Sequence, residues 1–263
     1  MIKVDDNLSS EEAKPFLRWA GGKRRMVPFL LEHIPPDYSN NNRYYEPFLG
    51  AGSLFFRLNP FKATLSDNNK DLIECYRAVQ KRPDLIAKYL RQHLLNNSEE
   101  YYYNMRDAYN ESQLSFAKAA LFIYLNKTCF NGIWRVNKNG EFNVPYGHKD
   151  NPLFPSRNDL FILSKSLSNS KIVHCDYRQI VEKVKEGDFI YFDPPYPPLN
   201  GTSYFTHYTK ERFTNKDHSE LASLSDMLNR KGVYIMISNA DTPYIRSLYE
   251  DGFNIFEHEV VRV

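Results

Sequence analysis

Short apolar runs rich in β-branched and aromatic residues recur along the 263-residue chain. Runs of this length and composition are typical of buried strands. They predict strands at residues 44–48, 63–66, 171–175, 188–192, 233–238 and 253–261. Amphipathic helical patterns lie between most of them, at residues 71–79, 84–95, 218–229 and 242–250. Strands that alternate with helices indicate an α/β fold, in which a mostly parallel sheet carries helices on both faces.

The alternation is interrupted between about residues 96 and 155. A Tyr-rich helical stretch is followed there by a loop-rich run, NKTCFNGIWRVNKNGEFNVPYGHKDNPLFP, without a long helix or strand. So long a stretch inside a compact domain is usually functional or disordered. Its aromatic residues, Phe130, Trp134, Phe142 and Tyr146, argue against disorder. We therefore predict that residues 70–165 are an inserted recognition region.

Composition excludes several classes of protein. The apolar fraction of 42% is normal for a globular protein, and no run approaches the roughly 20 apolar residues of a membrane span. The polar N-terminus has no apolar signal core, so we expect a cytoplasmic protein. The three cysteines lie far apart and the seven histidines lack ligand spacing. Neither a disulfide framework nor a metal site is therefore expected.

The net charge of +2 is too small to indicate a nucleic-acid partner by itself. The local distribution of charge is more informative, because basic residues cluster in two places. They are Arg18, Lys23, Arg24 and Arg25 near the start, and Lys127, Arg135, Lys138 and Lys149 in the middle. A basic cluster is most often a solvated face, so it gains meaning only beside a site.

A glycine turn, GAGS at residues 50–53, follows the first predicted strand. Glycines let the backbone pass close to a ligand and adopt positive φ. A dinucleotide-binding GxGxxG would need a third glycine where Phe55 stands, and neither this turn nor the earlier GGKR fits a Walker loop. Asp67 ends the next predicted strand, where an acid can bind both hydroxyls of a ribose. Capping the following helix is the alternative role for Asp67, and the two roles can coexist.

The strongest local signal is DFIYFDPPYPPL, in which a buried strand delivers Asp193-Pro194-Pro195-Tyr196 to its carboxyl end. Ligands bind open α/β sheets at that edge. The prolines stiffen the turn and remove two donors, which leaves acceptors for an amino group. The Asp193 carboxylate and the Pro194 carbonyl can each accept one N–H, and Tyr196 can stack on a base. A plain Asp-Pro-Pro turn is the alternative. The loop GTSYFTHYT at residues 201–209 fits a lid and an ordinary surface loop equally well.

Together these segments resemble the Dam-type DNA adenine-N6 methyltransferases, in that family's motif order and over nearly the whole chain. The resemblance is carried by FLRWAGGKR, EPFLGAGSLFF, SDNNKDLI, FNGIWRVNKNGEFNVPYG, DFIYFDPPY and SYFTHYT. It implies a Rossmann-like methyltransferase sheet, with residues 1–69 and 166–263 as the S-adenosyl-L-methionine-binding catalytic domain. Residues 70–165 are then a mainly helical target-recognition region with a hairpin. Double-stranded DNA is the implied partner, without metal or membrane, and a bacterial protein would associate with the nucleoid.

The resemblance also implies roles for individual residues. The catalytic residues are Asp193, Pro194 and Tyr196. Direct cofactor contacts are implied for Trp19, Lys23, Asp67 and Asp193, and flanking contacts for Ala20, Glu46, Phe48, Gly50 and Ser53. DNA contacts are implied for Arg18, for Phe130 inserted into the base stack, for Asn131 on a phosphate, for Ile133 and Pro145 on a thymine methyl, and for Arg135 on a guanine. Spacing alone favours a core aromatic at position 19 and a surface lysine at position 23. Guanine reading by Arg135 has its own basis, since arginine forks onto guanine O6 and N7.

The implied reaction is methylation of adenine N6 in duplex DNA after the base rotates out, at GATC or another GAT-containing site. Trp134, beside Arg135, is expected to alter the readout. The alternatives are an amino-methyltransferase acting on RNA or on a protein glutamine, and a DNA-binding relative without catalysis. An NAD-linked dehydrogenase is disfavoured by Phe55. A restriction endonuclease stays open as a partner in function only.

One departure from the family pattern concerns the end of the chain. The sequence stops at Val263, where members usually continue through a basic, serine-rich loop into a final strand. We expect either truncation or omitted residues, and truncation would leave a sheet edge exposed.

Overall fold

The computed structural model describes residues 12–149, 151–197 and 213–259. Within these residues, five parallel strands form one sheet in the order β3-β2-β1-β4-β5. The strands are β1 (Tyr44–Glu46), β2 (Ala63–Asp67), β3 (Ser170–His174), β4 (Phe189–Phe192) and β5 (Tyr234–Ile237). The order reverses between β1 and β4, so the crevice for a ligand lies beyond the carboxyl ends of these two strands.

Ten α-helices accompany the sheet in the described ranges. They are α1 (Val27–Glu32), α2 (Ser53–Leu58), α3 (Lys70–Lys81), α4 (Pro83–Leu95), α5 (Glu99–Glu111), α6 (Phe116–Thr128), α7 (Arg157–Leu167), α8 (Tyr177–Val181), α9 (Asn215–Arg230) and α10 (Pro243–Tyr249). The four helices predicted from amphipathic patterns are confirmed as α3, α4, α9 and α10. In the part of the chain that the structure describes, no helix combines the length and apolar character needed to cross a membrane.

The two faces of the sheet pack into separate cores. In β4, Phe189 and Tyr191 join a core with α3 and α6, whereas Ile190 and Phe192 join a core with α8 and α9. Successive side chains of a strand point to opposite faces, so one apolar strand supplies both cores. The prediction of an α/β fold with helices on both faces is confirmed.

The interrupted region contains two helices and a hairpin. Helix α6 packs among α3, α4 and α5, which explains why nine of its thirteen residues are buried. The run that follows begins with a single 3₁₀ turn at Phe130–Gly132 and folds back through two antiparallel bridges, Val136 to Phe142 and Cys129 to Tyr146. Its aromatic residues join the same core as the sheet, with the Trp134 and Phe142 ring centroids 4.3 Å apart. The domain boundaries at residues 69 and 166 stay a prediction.

The strand predicted at residues 253–261 is wrong as far as its described part, residues 253–259, is concerned. The aromatic side chains of this segment pack on the end of α1 and, for Phe253, on Tyr249 of α10 instead. The ring of His258 stacks on Phe29 at 4.5 Å, and the ring of Phe256 lies 4.2 Å from that of His33. An alternating pattern predicts an extended chain, but it does not specify whether that chain pairs with a strand or lies against a helix.

A buried carboxylate joins the starts of β1 and β4, and its removal should destabilise the fold. One oxygen of Asp188 accepts the Arg43 N–H at 3.0 Å, and the other accepts the Lys185 N–H at 3.0 Å. We expect Asp188→Ala to lower the free energy of unfolding by about 1–3 kcal/mol, because two backbone donors lose their acceptor. Chemical denaturation measures this change.

The matched control is Asp226→Ala. Asp226 pairs with Arg230 on the exposed surface of α9. Since surface pairs contribute little, this variant should stay within about 0.5 kcal/mol of the wild type. Equal losses in the two variants would contradict a special role for Asp188.

Candidate active site

Two segments that are distant in sequence meet where β4 ends. The Lys23 ammonium lies 2.6 Å from a carboxylate oxygen of Asp193, the residue directly after β4. The same ammonium donates to the Gly21 carbonyl at 2.7 Å and lies 4.5 Å from the centroid of the Tyr196 ring. Lys23 is only 7% exposed, so it is not the surface lysine that its spacing favours. The structure thus brings together the N-terminal motif and the Asp-Pro-Pro-Tyr turn.

The acid at this corner is desolvated but paired. Burial raises the pKa of Asp193, and the charge and hydrogen bond of Lys23 lower it again in part. A desolvated carboxylate is a strong acceptor because little water competes for its lone pairs. This arrangement suits a group that has to accept N–H bonds from a substrate.

A second carboxyl group lies near Asp193. Glu46, the last residue of β1, is buried and accepts the Tyr44 hydroxyl at 2.7 Å. Burial raises the pKa of Glu46 to about 8; the Tyr44 hydrogen bond works against this rise, and the charge of Asp193 adds to it. Glu46 is therefore mostly protonated near pH 7, which reduces repulsion between the two neighbouring acids.

The glycine turn is fixed from both sides. Gly50 has φ +48°; its N–H donates to Asp67 at 3.1 Å, and its carbonyl accepts the Tyr76 hydroxyl at 3.0 Å. A Cβ at position 50 would lie 2.9 Å from Cδ1 of Trp19. Only glycine leaves room for the indole over this turn, so Trp19 and the turn together form one wall of the candidate site.

The role of Asp67 as a helix cap is wrong. Helix α3 is capped by Asn69, whose side chain accepts the Leu72 N–H at 2.9 Å. Asp67 instead accepts the N–H groups of Gly50 and Asn69. Burial raises the pKa of Asp67, and these backbone hydrogen bonds lower it in part.

The remaining residues implied as cofactor contacts lie around the same corner. Phe48 follows β1, and Ser53 is buried at the start of α2, directly after the glycine turn. Ala20 is exposed next to Trp19. The ring of Phe48 lies 5.2 Å from that of Tyr177, which the sequence analysis missed. The signal for Tyr177 was the stretch Cys-Asp-Tyr, directly after a predicted strand.

The candidate DNA-binding residues belong to the hairpin and to the segment packed on it. Phe130 is 51% exposed, and its N–H donates to the Pro145 carbonyl. Arg135 is exposed, with its Nε donating to the Asn143 side chain at 2.9 Å. Of the others, Asn131, Pro145 and Arg18 are exposed, and Ile133 is half-buried.

The structure adds two observations about this region. Trp134 is 2% exposed and packs between Phe122 and Phe142, and its effect on the readout stays a prediction. Members of the two basic clusters also lie close together, since burial together with the charges of Arg18, Lys149 and Arg24 lowers the pKa of Lys127 to about 8. The loop at residues 201–209 lies outside the described residues. Among the described ones, no group of three or more His, Cys, Asp or Glu could hold a metal ion.

Comparison with known proteins identifies the same family that the sequence motifs resemble. The model of the D12 class N6 adenine-specific DNA methyltransferase family matches residues 19–263. The type II methyltransferase M.MjaIII of Methanocaldococcus jannaschii is 42% identical over 261 residues, covering 93% of this chain and 90% of that protein. The type II methyltransferase M1.LlaDCHI of Lactococcus lactis subsp. cremoris is 39% identical over 255 residues, covering 95% of this chain and 88% of that protein.

A third relative is named as a DNA adenine methylase and not as a type II methyltransferase. The DNA adenine methylase of Escherichia coli K12 is 35% identical over 239 residues, covering 90% of this chain and 84% of that protein. These matches favour DNA over the RNA and glutamine alternatives, and an enzyme over an inactive DNA-binding relative. The chain therefore belongs to the D12 class of N6 adenine-specific DNA methyltransferases, and the corner between β1 and β4 is its candidate active site.

Proposed function

We propose that this enzyme transfers the methyl group of S-adenosyl-L-methionine to N6 of an adenine rotated out of double-stranded DNA. The observation that carries the proposal is the meeting of Lys23, Asp193 and the Trp19-covered glycine turn beyond the switch point of the sheet. Ligands of open α/β sheets bind at such points.

The residues at the corner suit this cofactor. The Asp67 carboxylate ends β2 beside the glycine turn, where it can accept the ribose hydroxyls. The rings of Phe48 and Tyr177 offer an apolar surface to the adenine of the cofactor. The absence of a Cβ at Gly50 lets the Trp19 indole lie against the turn, which places an aromatic wall beside the Asp67 carboxylate. When bound, S-adenosyl-L-methionine supplies an electrophilic methyl group on a sulfonium.

The chain's own part in the reaction is to orient the target amine. The Asp193 carboxylate and the Pro194 carbonyl each accept one N–H, which draws the nitrogen lone pair out of conjugation with the ring. Lys23 holds the Asp193 carboxylate in place and favours its ionised form. Tyr196 stacks on the everted base, an interaction worth about 1–3 kcal/mol. Catalysis is then mainly positioning and electrostatics, and the proton leaves afterwards to water or through Asp193.

The hairpin is the part of the proposed target-recognition region, residues 70–165, that contacts DNA. The exposed ring of Phe130 is available to fill the gap left by the everted adenine, which offsets an unstacking cost of a few kcal/mol. Asn143 orients the Arg135 guanidinium, whose fork suits guanine O6 and N7. We propose GATC or another GAT-containing sequence as the site. The type II names of two relatives favour a restriction–modification role, with an endonuclease as a partner in function only. We propose the cytoplasm as the location, since the proposed substrate is DNA.

The function is tested by methyl transfer from labelled S-adenosyl-L-methionine to duplex DNA, with the modified nucleoside identified by mass spectrometry. We expect N6-methyladenine from the wild type. Asp193→Ala should lower kcat by about 10²–10³-fold or more, because the main acceptor of the amine is lost. DNA binding should survive in this variant.

Asp226→Ala, a change of the same type on the exposed surface of α9, is the control and should keep wild-type kcat. Retained turnover in Asp193→Ala would refute its role. Label found in RNA or protein instead of DNA would refute the function itself.

Recognition is tested by Arg135→Ala. Loss of the guanidinium fork should lower discrimination at one base pair by about 1–3 kcal/mol, measured as kcat/KM on duplexes altered at each position of the site. Lys138→Ala removes a nearby exposed cation and should weaken binding to all sequences about equally. Unchanged discrimination at every position in Arg135→Ala would contradict guanine reading by this residue.

The pairing of Lys23 with Asp193 predicts a pH effect. Methyl transfer requires the Asp193 carboxylate, so activity should fall as pH drops through its pKa. Because Lys23 lowers that pKa, Lys23→Met should raise it and move the acidic limb of log kcat/KM to higher pH. Glu46→Gln is the control, because it removes the titration of the second buried carboxyl group from the pH profile. A limb at the same pH in wild type and Lys23→Met would contradict the pairing.

A further inference from the structure

A buried amide on α6 holds the N-terminal segment in place. Asn126 is 0% exposed, and its side-chain oxygen accepts the Arg18 N–H at 2.8 Å. Its side-chain nitrogen donates to the Arg18 carbonyl at 2.7 Å. Two hydrogen bonds to one residue, 108 positions away in sequence, fix both the position and the orientation of that backbone.

The next residue along the chain is Trp19, and α6 supports it as well. The ring of Phe122 stacks on the indole of Trp19 with centroids 6.2 Å apart. Phe122 and Asn126 are four residues apart, so they lie on the same face of the helix. One face of α6 therefore holds the backbone at Arg18 and the side chain at Trp19.

The hairpin closes on the same segment. A Cβ at Gly132 would lie 2.4 Å from Cδ of Arg18, so the stem of Arg18 fills the space beside this glycine. On the other side, the Trp19 indole covers the Gly50 turn. The Arg18–Trp19 peptide thus lies between the recognition hairpin and the candidate cofactor site.

We propose that Asn126 is a positioning residue: from within the proposed recognition region it fixes the position of Trp19, which forms one wall of the cofactor site. This proposal rests on the cofactor site proposed above. Without the amide, the Arg18 N–H and C=O lose the partners that a fully buried side chain supplies, and the backbone shifts to find others. Trp19 moves with it, away from the Gly50 turn. Cofactor affinity then depends on a residue that does not touch the cofactor.

The chain offers a matched control in Asn110 on α5. Its side chain makes the same two-point contact with the backbone of Phe142 in the hairpin, accepting the N–H at 2.9 Å and donating to the carbonyl at 3.1 Å. Asn110→Ala therefore removes the same pair of hydrogen bonds, but from the hairpin alone. Thermal unfolding of both variants checks that their losses of stability are comparable.

The test is calorimetric titration of the full chain with S-adenosyl-L-methionine, without DNA. We expect Asn126→Ala to raise the Kd about tenfold, which corresponds to about 1.4 kcal/mol. Asn110→Ala should stay within about twofold. At saturating cofactor, kcat of Asn126→Ala should stay near that of the wild type while the KM for the cofactor rises, a split that general destabilisation does not produce.

The outcomes separate this inference from the proposed function. No binding of S-adenosyl-L-methionine by the wild type would refute the proposed function. Normal wild-type binding with an unchanged Kd in Asn126→Ala, or an equal rise in Asn110→Ala, would refute the positioning role alone. If Asn126→Ala does not fold, Asn126→Asp decides, since it keeps the acceptor for the Arg18 N–H and loses the donor. A raised Kd in that variant supports the role, and a wild-type Kd overturns it.

Discussion

The active corner depends on one desolvated ion pair, Lys23 with Asp193. It joins a segment near the N-terminus to the turn after β4. Both groups are poorly hydrated, with side-chain exposures of 8% for Lys23 and 18% for Asp193. Breaking such a pair typically costs about 3–5 kcal/mol, since the charge left behind is uncompensated. The pair therefore holds the corner together, and the charge of Lys23 lowers the pKa of the Asp193 carboxyl against the effect of its burial.

Most of the fold could be read from the sequence because its signals are local. The apolar run of β4 and the helical period of α3 each reflect one environment along a continuous stretch of chain. The turns at Gly50 and Asp193 were found for a similar reason, since a ligand site of an α/β sheet must follow a strand.

The errors and omissions arise where tertiary contacts decide. The segment at residues 253–259 has a strand pattern, but its rings pack on the end of α1 and on α10. Trp134 stands beside an exposed arginine in sequence, yet the hairpin turns its indole into the core. Asn126 looks like one polar residue in an apolar helix, and its partner at Arg18 lies too far along the chain for any local pattern to reveal.

The continuous core beneath the hairpin has a consequence for how such enzymes change their target sequence. Because Trp134 and Phe142 belong to the same core as residues of the sheet, the hairpin is not an independent module that relatives exchange. A graft of that kind would need matching replacements in α6 and around Trp19. Substitution is easier at exposed positions such as Arg135, where a new side chain alters no packing. The exposed part of the hairpin is thus free to vary, while its base is held by the core that it shares with the sheet.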